Sequence, residues 1–190
     1  MLQIRNEGII LEKTEHDFES QAVLNPACIE KDGIIHMYYR AVGSGSVSTI
    51  GYCKLKEPTK VVERMSAPLL VPQYDYEKQG LEDPRIVYLD GVYYLTYTVY
   101  DGRNARIAYA TSKDLANFTK QGIISPDMSY DEAEDYFREL PIQERYLLFE
   151  SYYKDKLGKN VILWEKDASL FPRKINNKFA FLHRILPGIQ

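Results

Sequence analysis

Along this 190-residue chain, short runs of apolar, β-branched and tyrosine residues are broken at regular intervals by turn residues, a pattern of strands rather than long helices. Asp32-Gly33 and Asp90-Gly91 stand 58 residues apart, and each pair joins two such runs as a two-residue hairpin turn would. The same offset relates Pro26 to Pro84 and Tyr39 to Tyr97, while Gly51-Tyr52 corresponds to Ala108-Tyr109. A polar residue precedes each proline, Asn25 in the first copy and Asp83 in the second. Within each unit one strand is expected to start at about residue 27 or 85, with a second over 34–40 or 92–98. A third follows over 49–54 or 106–111, and a weaker fourth leads into Leu69-Leu70-Val71-Pro72 or Ile123-Ile124-Ser125-Pro126. Four antiparallel strands at this period predict an all-β fold made of β-propeller blades.

A third copy begins at Lys166-Asp167, with Leu170-Phe171-Pro172 as first strand, Asn176-Asn177 as turn and residues 178–185 as second strand. His183-Arg184 then aligns with Tyr39-Arg40 at an offset of 144 and with Tyr97-Thr98 at 86. The longer spacing is explained by a charged, helix-prone insert broken by Pro141. In it Ile142, Tyr146, Phe149 and Tyr153 recur at helical intervals, Glu150 and Lys154 sit four apart, and Gly158 is a natural stop. The insert reads as a packing or oligomer helix, or as a substrate lid. The expected organisation is a single partial propeller domain over residues 1–190, with blade units at about 22–80, 81–127 and 165–190 and the insert at about 128–159. Propellers close with about 4 to 8 blades. A chain that stops midway through a third is expected to be a fragment, a truncated reading frame or a protomer that completes itself with another chain.

Composition narrows the partners. A formal charge of −3 and a sequence pI near 5.7 argue against a dedicated nucleic-acid binder. Cys28 and Cys53 match no metal or redox spacing and read as buried free thiols of a reducing compartment. Arg5, Glu7, Glu12 and Lys13 leave no signal peptide in view, and nothing approaches the roughly 20 apolar residues of a membrane span. A cytoplasmic protein without nucleic-acid or membrane partners is expected, with homo-oligomerisation left open.

Candidate chemistry gathers where equivalent blade positions converge on the propeller axis. Asn25, Asp83 and Asp167 would line one end of it, with Arg40 and Arg184 as equivalents of each other. In Glu82-Asp83-Pro84-Arg85 the proline fixes its own φ and biases Asp83 towards extended backbone. That stiff display suits proton transfer; it also suits a structural turn in which Arg85 pairs an acid. A funnel of acids, an amide and cations fits carbohydrate, and the sixteen tyrosines suit sugar rings or simple packing. Arg40, Lys166, His183 and Arg184 could add an anion site, or His183 could be a structural hydrogen-bonding residue and the arginines could tie blades together. Asp114 reads as a turn residue, His16 and His36 show no metal-ligand spacing, and Gly43-Ser44-Gly45-Ser46 lacks the Lys-Ser/Thr of a phosphate loop.

The ordered set Phe18-Glu19-Ser20, Val23-Leu24-Asn25-Pro26-Ala27, Tyr39-Arg40-Ala41, Ser48-Thr49-Ile50-Gly51, Glu82-Asp83-Pro84-Arg85-Ile86, Tyr94-Leu95-Thr96-Tyr97-Thr98 and Ala110-Thr111-Ser112-Lys113-Asp114-Leu115 resembles the five-bladed propellers of glycoside hydrolase family 130. Lys166-Asp167, Leu170-Phe171-Pro172 and His183-Arg184 extend the match, which leaves out only the insert. The resemblance implies phosphorolysis of β-mannosides, of manno-oligosaccharide or mannosyl-glucose type, to α-mannose 1-phosphate. No metal or organic cofactor is implied, inorganic phosphate being the co-substrate. It makes Asp83 the proton donor, acting through a hydroxyl of the mannosyl ring, so that one carboxyl suffices where an inverting hydrolase needs two. Asn25, Arg40, Glu82, Arg85 and Tyr97 are the implied substrate ligands, and Lys166, Asp167, His183 and Arg184 the implied phosphate set. Position 167 is often Asn in such phosphorylases, so Asp167 is expected to repel phosphate unless Lys166 neutralises it. Further basic ligands belong to later blades. A β-mannosidase of the same fold and a truncated, non-catalytic glycan-binding propeller are the alternatives.

Overall fold

The computed structural model describes residues 3, 5–137, 155–156 and 161–185. Four strands, β1 (Ala22–Lys31), β2 (Ile34–Val42), β3 (Ser48–Glu57) and β4 (Lys60–Arg64), form an antiparallel meander. A second meander repeats it with β5 (Gly80–Leu89), β6 (Val92–Tyr100), β7 (Ala105–Ser112) and β8 (Thr119–Ile123). The antiparallel pair β9 (Glu165–Leu170) and β10 (Phe181–Ile185) opens a third. The first strands β1, β5 and β9 lie side by side around the axis, so the chain is a partial β-propeller. Between β8 and β9, helix α1 spans Tyr130–Phe137, in the stretch where a helical insert is expected. Ile142, Tyr146, Phe149, Glu150, Tyr153, Lys154 and Gly158 lie outside the described residues. Among the described residues no helix is long and apolar enough to cross a membrane.

The hairpin turns obey their residue chemistry. Asp32 and Gly33 have φ of 52° and 74°, Asp90 and Gly91 51° and 80°, and Asn176 and Asn177 49° and 60°. A two-residue turn with φ positive at both positions matches the twist of the strands, and Asp, Asn and Gly are the residues that accept it. The strands of blades one and two are joined by a single parallel bridge, Ser48 to Gly80. A Cβ on Gly80 would stand 2.7 Å from the Ser48 nitrogen, and its φ of 139° is one that L side chains rarely adopt.

Strand alternation sorts the core. Tyr38, Ile50 and Tyr52 of blade one pack against Leu81, Leu95, Tyr97 and Val99 of blade two. Met37, Tyr39, Ala41, Cys53 and Leu55 form a second cluster with Leu11 and Phe18. Residues 37, 39 and 41 thus serve one cluster while 38 serves the other, as a period of two requires.

Several expectations need correction. The first strand of each unit begins at Ala22 or Gly80 and runs through its proline, which is tolerated because this strand is the blade's inner edge and carries a bulge there. The fourth strands, β4 and β8, do precede the two proline segments as expected, and the Leu69-Leu70 segment itself returns to β3 through Ile50. In the third unit the first strand is Glu165–Leu170, placed ahead of Phe171-Pro172. Cys28 is exposed on the edge strand, and only Cys53 is buried.

Candidate active site

Each first strand carries a β-bulge at the same place. Pairing slips between Leu24 and Ala27, between Glu82 and Arg85, and opposite Asp167 between Leu182 and Arg184. At the bulges Asn25, Asp83 and Asp167 have φ of 49°, 51° and 56°. The sequence predicted extended backbone for the residue before proline; the bulge selects the left-handed region instead, which Asn and Asp enter more readily than other non-glycine residues. The bulge also breaks strand alternation. Glu82 and Asp83, adjacent in sequence, therefore both turn towards Arg40 of β2.

A charge network results. Asn25 Nδ2 donates to Asp83 Oδ1 at 2.7 Å, and Arg40 Nη1 lies 3.5 Å from the same oxygen. Arg40 Nη2 donates to Glu82 Oε1 at 2.9 Å, while its Nε donates to Ser48 Oγ at 2.9 Å. Lys166 Nζ of β9 donates to Glu82 Oε2 at 2.9 Å. Asp167 Oδ2 is 2.7 Å from Arg184 Nη2, and its Oδ1 is 3.7 Å from Arg85 Nη2. Arg85 also donates to its neighbour's carbonyl, Pro84 O, at 2.8 Å. Glu82 and Asp83 are 6 % and 8 % exposed, so these charges are largely withdrawn from solvent and their pairing is weakly screened. Three acids and four cations from three blades thus meet at one end of the axis.

The site therefore gathers Asn25, Arg40, Glu82, Asp83, Arg85, Lys166, Asp167 and Arg184. Two of the expected residues stand elsewhere. Tyr97 is 2 % exposed inside the core between blades one and two, so the expectation that it meets a sugar is corrected. Its neighbours Thr96 and Thr98 point to the opposite face, as strand parity demands. His183 sits 2.8 Å from the buried Glu165, outside hydrogen-bond angles, on the strand side opposite Arg184. Burial raises the Glu165 carboxyl above its ordinary range, and the nearby His183 partly offsets this. The expected neutralisation of Asp167 by Lys166 is also replaced: Arg184 and Arg85 take Asp167, and Lys166 crosses to Glu82. Lys166 and Asp167, adjacent on β9, thus take different partners: Lys166 reaches Glu82 of blade two, while Asp167 lies between Arg184 of its own blade and Arg85 of blade two.

Sequence reasoning missed Ser48, which orients Arg40, and Trp164, whose ring centre lies 5.9 Å from Lys166 Nζ. It also missed a strut repeated in both complete blades. Glu19 binds Tyr39 and Arg64, while Glu77 binds Lys120 beside Tyr97. Its signal was present: Asp17-Phe18-Glu19 recurs as Asp75-Tyr76-Glu77 at the 58-residue offset. Among the described residues no three His, Cys, Asp or Glu side chains converge as a metal cage.

The family model of glycoside hydrolase family 130, described as beta-1,4-mannooligosaccharide phosphorylase, matches residues 4–188. The chain belongs to this family. A 1,2-beta-oligomannan phosphorylase of Thermoanaerobacter sp. (strain X514) is 32 % identical over 98 % of the chain and 54 % of the relative. A beta-1,2-mannobiose phosphorylase of the same organism is 29 % identical over 100 % of the chain and 56 % of the relative. The chain thus spans about half the length of these curated relatives. A solved structure of the beta-1,2-mannobiose phosphorylase from Listeria innocua, in complex with beta-1,2-mannobiose, superposes with a TM-score of 0.60. At 17 % identity over 94 % of this chain and 60 % of that one, it shows the shared fold. The family model and both curated relatives are described as phosphorylases of mannosides.

Proposed function

We propose that the chain carries the acid and the mannosyl-binding part of a β-mannoside phosphorylase, with β-1,2-linked mannosides as substrates and α-mannose 1-phosphate as product. The observation that supports this most is the environment of Asp83. Its Oδ1 is occupied by Asn25 and Arg40, and no described residue hydrogen-bonds its Oδ2. Oδ2 is therefore the atom left to carry a proton towards a glycosidic oxygen. In the step, a phosphate oxygen attacks the anomeric carbon, the bond to the leaving oxygen breaks, and that oxygen takes a proton from a hydroxyl of the mannosyl ring, which takes one in turn from Asp83. The proton that phosphate sheds restores the acid, so no net proton is consumed. Arg40, Arg85 and Asn25 would hold the mannosyl hydroxyls, and Lys166 and Arg184 the phosphate, by charge-assisted hydrogen bonds.

Hydrolysis is the second reading, favoured by one feature. Both phosphate-side cations are already engaged by carboxylates, Lys166 by Glu82 and Arg184 by Asp167. A water nucleophile needs neither of them. Incubating the chain with β-1,2-mannobiose and β-1,2-oligomannan, with and without inorganic phosphate, separates the readings. Phosphorolysis gives α-mannose 1-phosphate only when phosphate is present; mannose release unchanged by omitting phosphate would overturn it. Saturable mannoside binding with no turnover in either condition would favour a glycan-binding module.

A further inference from the structure

Glu82 accepts a charge-assisted hydrogen bond at each of its two oxygens from cations of two different blades, whereas Asp167, which also lies between cations of two blades, stands 3.7 Å from the second of them, Arg85. Oε1 accepts from Arg40 of β2 and Oε2 from Lys166 of β9, each at 2.9 Å. The two cations lead to opposite ends of the proposed reaction. Arg40 goes on to Asp83 Oδ1 at 3.5 Å, where a glycosidic bond would be protonated. The Lys166 ammonium lies 5.9 Å from the ring centre of Trp164, whose Nε1 donates to Arg103 O at 2.9 Å. A largely buried carboxylate between two cations fixes both, because moving either exposes an uncompensated charge in a poorly solvated place.

We infer that Glu82 is a positioning residue, one carboxylate that sets Arg40 for the glycoside end of the site and Lys166 for the phosphate end. The inference rests on the phosphorolysis reading and moves Glu82 out of the set of direct sugar ligands. A direct ligand touches one substrate only. A bridge between two binding cations touches neither and affects both.

The test uses the whole chain and two probes, inorganic phosphate and β-1,2-mannobiose. Binding is followed by calorimetry and by the emission of Trp164, the single tryptophan of the chain and a neighbour of Lys166. Glu82→Gln is expected to weaken both ligands about tenfold, the scale of coupling within one ionic network. Combined with Lys166→Met, it should weaken phosphate little further than Lys166→Met alone, since it acts through that lysine. If Glu82→Gln unfolds by circular dichroism, Glu82→Asp keeps the charge, is too short to span both cations, and should reproduce the dual loss. Weakened mannobiose with unchanged phosphate would return Glu82 to the sugar ligands, and two unchanged affinities would make it a bystander. Either result overturns the inference while leaving phosphorolysis standing. A wild-type chain that binds neither probe overturns the functional reading, and the inference with it.

Discussion

Blades one and two are built on one plan and part most clearly at two places. On the buried side of blade one, Glu19 Oε2 accepts from Tyr39 Oη and from Arg64 Nη2, each at 2.8 Å, and Arg64 Nε donates to Tyr39 Oη at 3.2 Å. Thr14 Oγ1 donates to the other carboxylate oxygen at 2.7 Å, which closes the strut. In blade two, Glu77 Oε2 takes Lys120 and the Gln73 backbone nitrogen, but Tyr97 Oη and Glu77 Oε1 are buried without a described hydrogen-bond partner. A guanidinium fork reaches the carboxylate and the phenol together; the Lys120 ammonium at the equivalent position donates to the carboxylate and to Val71 O, and leaves the phenol aside. The second difference lies at the axis, where the same bulge presents an amide at Asn25 and an acid at Asp83. The scaffold is copied, and under the proposed function the chemistry would come from one residue type at a copied position.

Exchanging the residues at the bulge gives the largest expected effect. Asp83→Asn should lower turnover by about 10²- to 10⁴-fold, the usual contribution of a positioned acid, with the melting temperature little changed. The double variant Asn25→Asp/Asp83→Asn should not recover it, because the acid then stands on the wrong blade. Recovered turnover would mean that the two blades are interchangeable at this point. The struts come next. Arg64→Met and Lys120→Met each leave a fully buried carboxylate without its cation, and each should cost about 3–5 kcal/mol in chemical denaturation. Removing only the phenol oxygens separates the blades more finely. Tyr39→Phe removes one of two hydrogen bonds to the buried Glu19 Oε2 and the acceptor of Arg64 Nε and should cost about 1–3 kcal/mol, whereas Tyr97→Phe deletes a buried hydroxyl without a described partner and should be neutral or stabilising. Equal losses for the two would show that Tyr97 has a partner equivalent to that of Tyr39.

What the sequence revealed follows the same division. Asp32-Gly33, Asp90-Gly91 and Asn176-Asn177 were legible as turns because few residues accept positive φ twice in succession. The convergence of Asn25, Asp83 and Asp167 was legible because a repeat carries equivalent positions to one axis. The conformation of Asp83 was not, since the local effect of Pro84 favours extended backbone and only pairing across β5 and β6 imposes the bulge. Tyr97 was expected at the sugar through the family resemblance, whereas strand parity puts it in the core, on the face away from Thr96 and Thr98. The partners of Lys166 and Asp167 depend on which blade each strand face meets, and spacing along the chain does not encode that.

A smaller contrast sits at the far ends of the second strands, where His36 of blade one corresponds to Tyr94 of blade two. His36 Nδ1 lies 2.6 Å from Tyr52 Oη. Burial lowers the imidazole from its ordinary value of 6.5, helped by Lys54 and Lys31 and opposed by Glu63 and Asp32. A lowered value means that the unfolded chain takes up the proton first. The stabilising contribution of neutral His36 is therefore fully present above 6.5 and is lost as pH falls through the folded value. Denaturation midpoints measured from about pH 8 down to about pH 5.5 should fall more steeply for the wild type than for His36→Phe, which cannot protonate. The effect should be modest, because the ring is only partly shielded from solvent. Parallel curves for the two proteins would mean that His36 is protonated as readily in the folded chain as in the unfolded one, and that the two blades do not differ in their response to acid at this position.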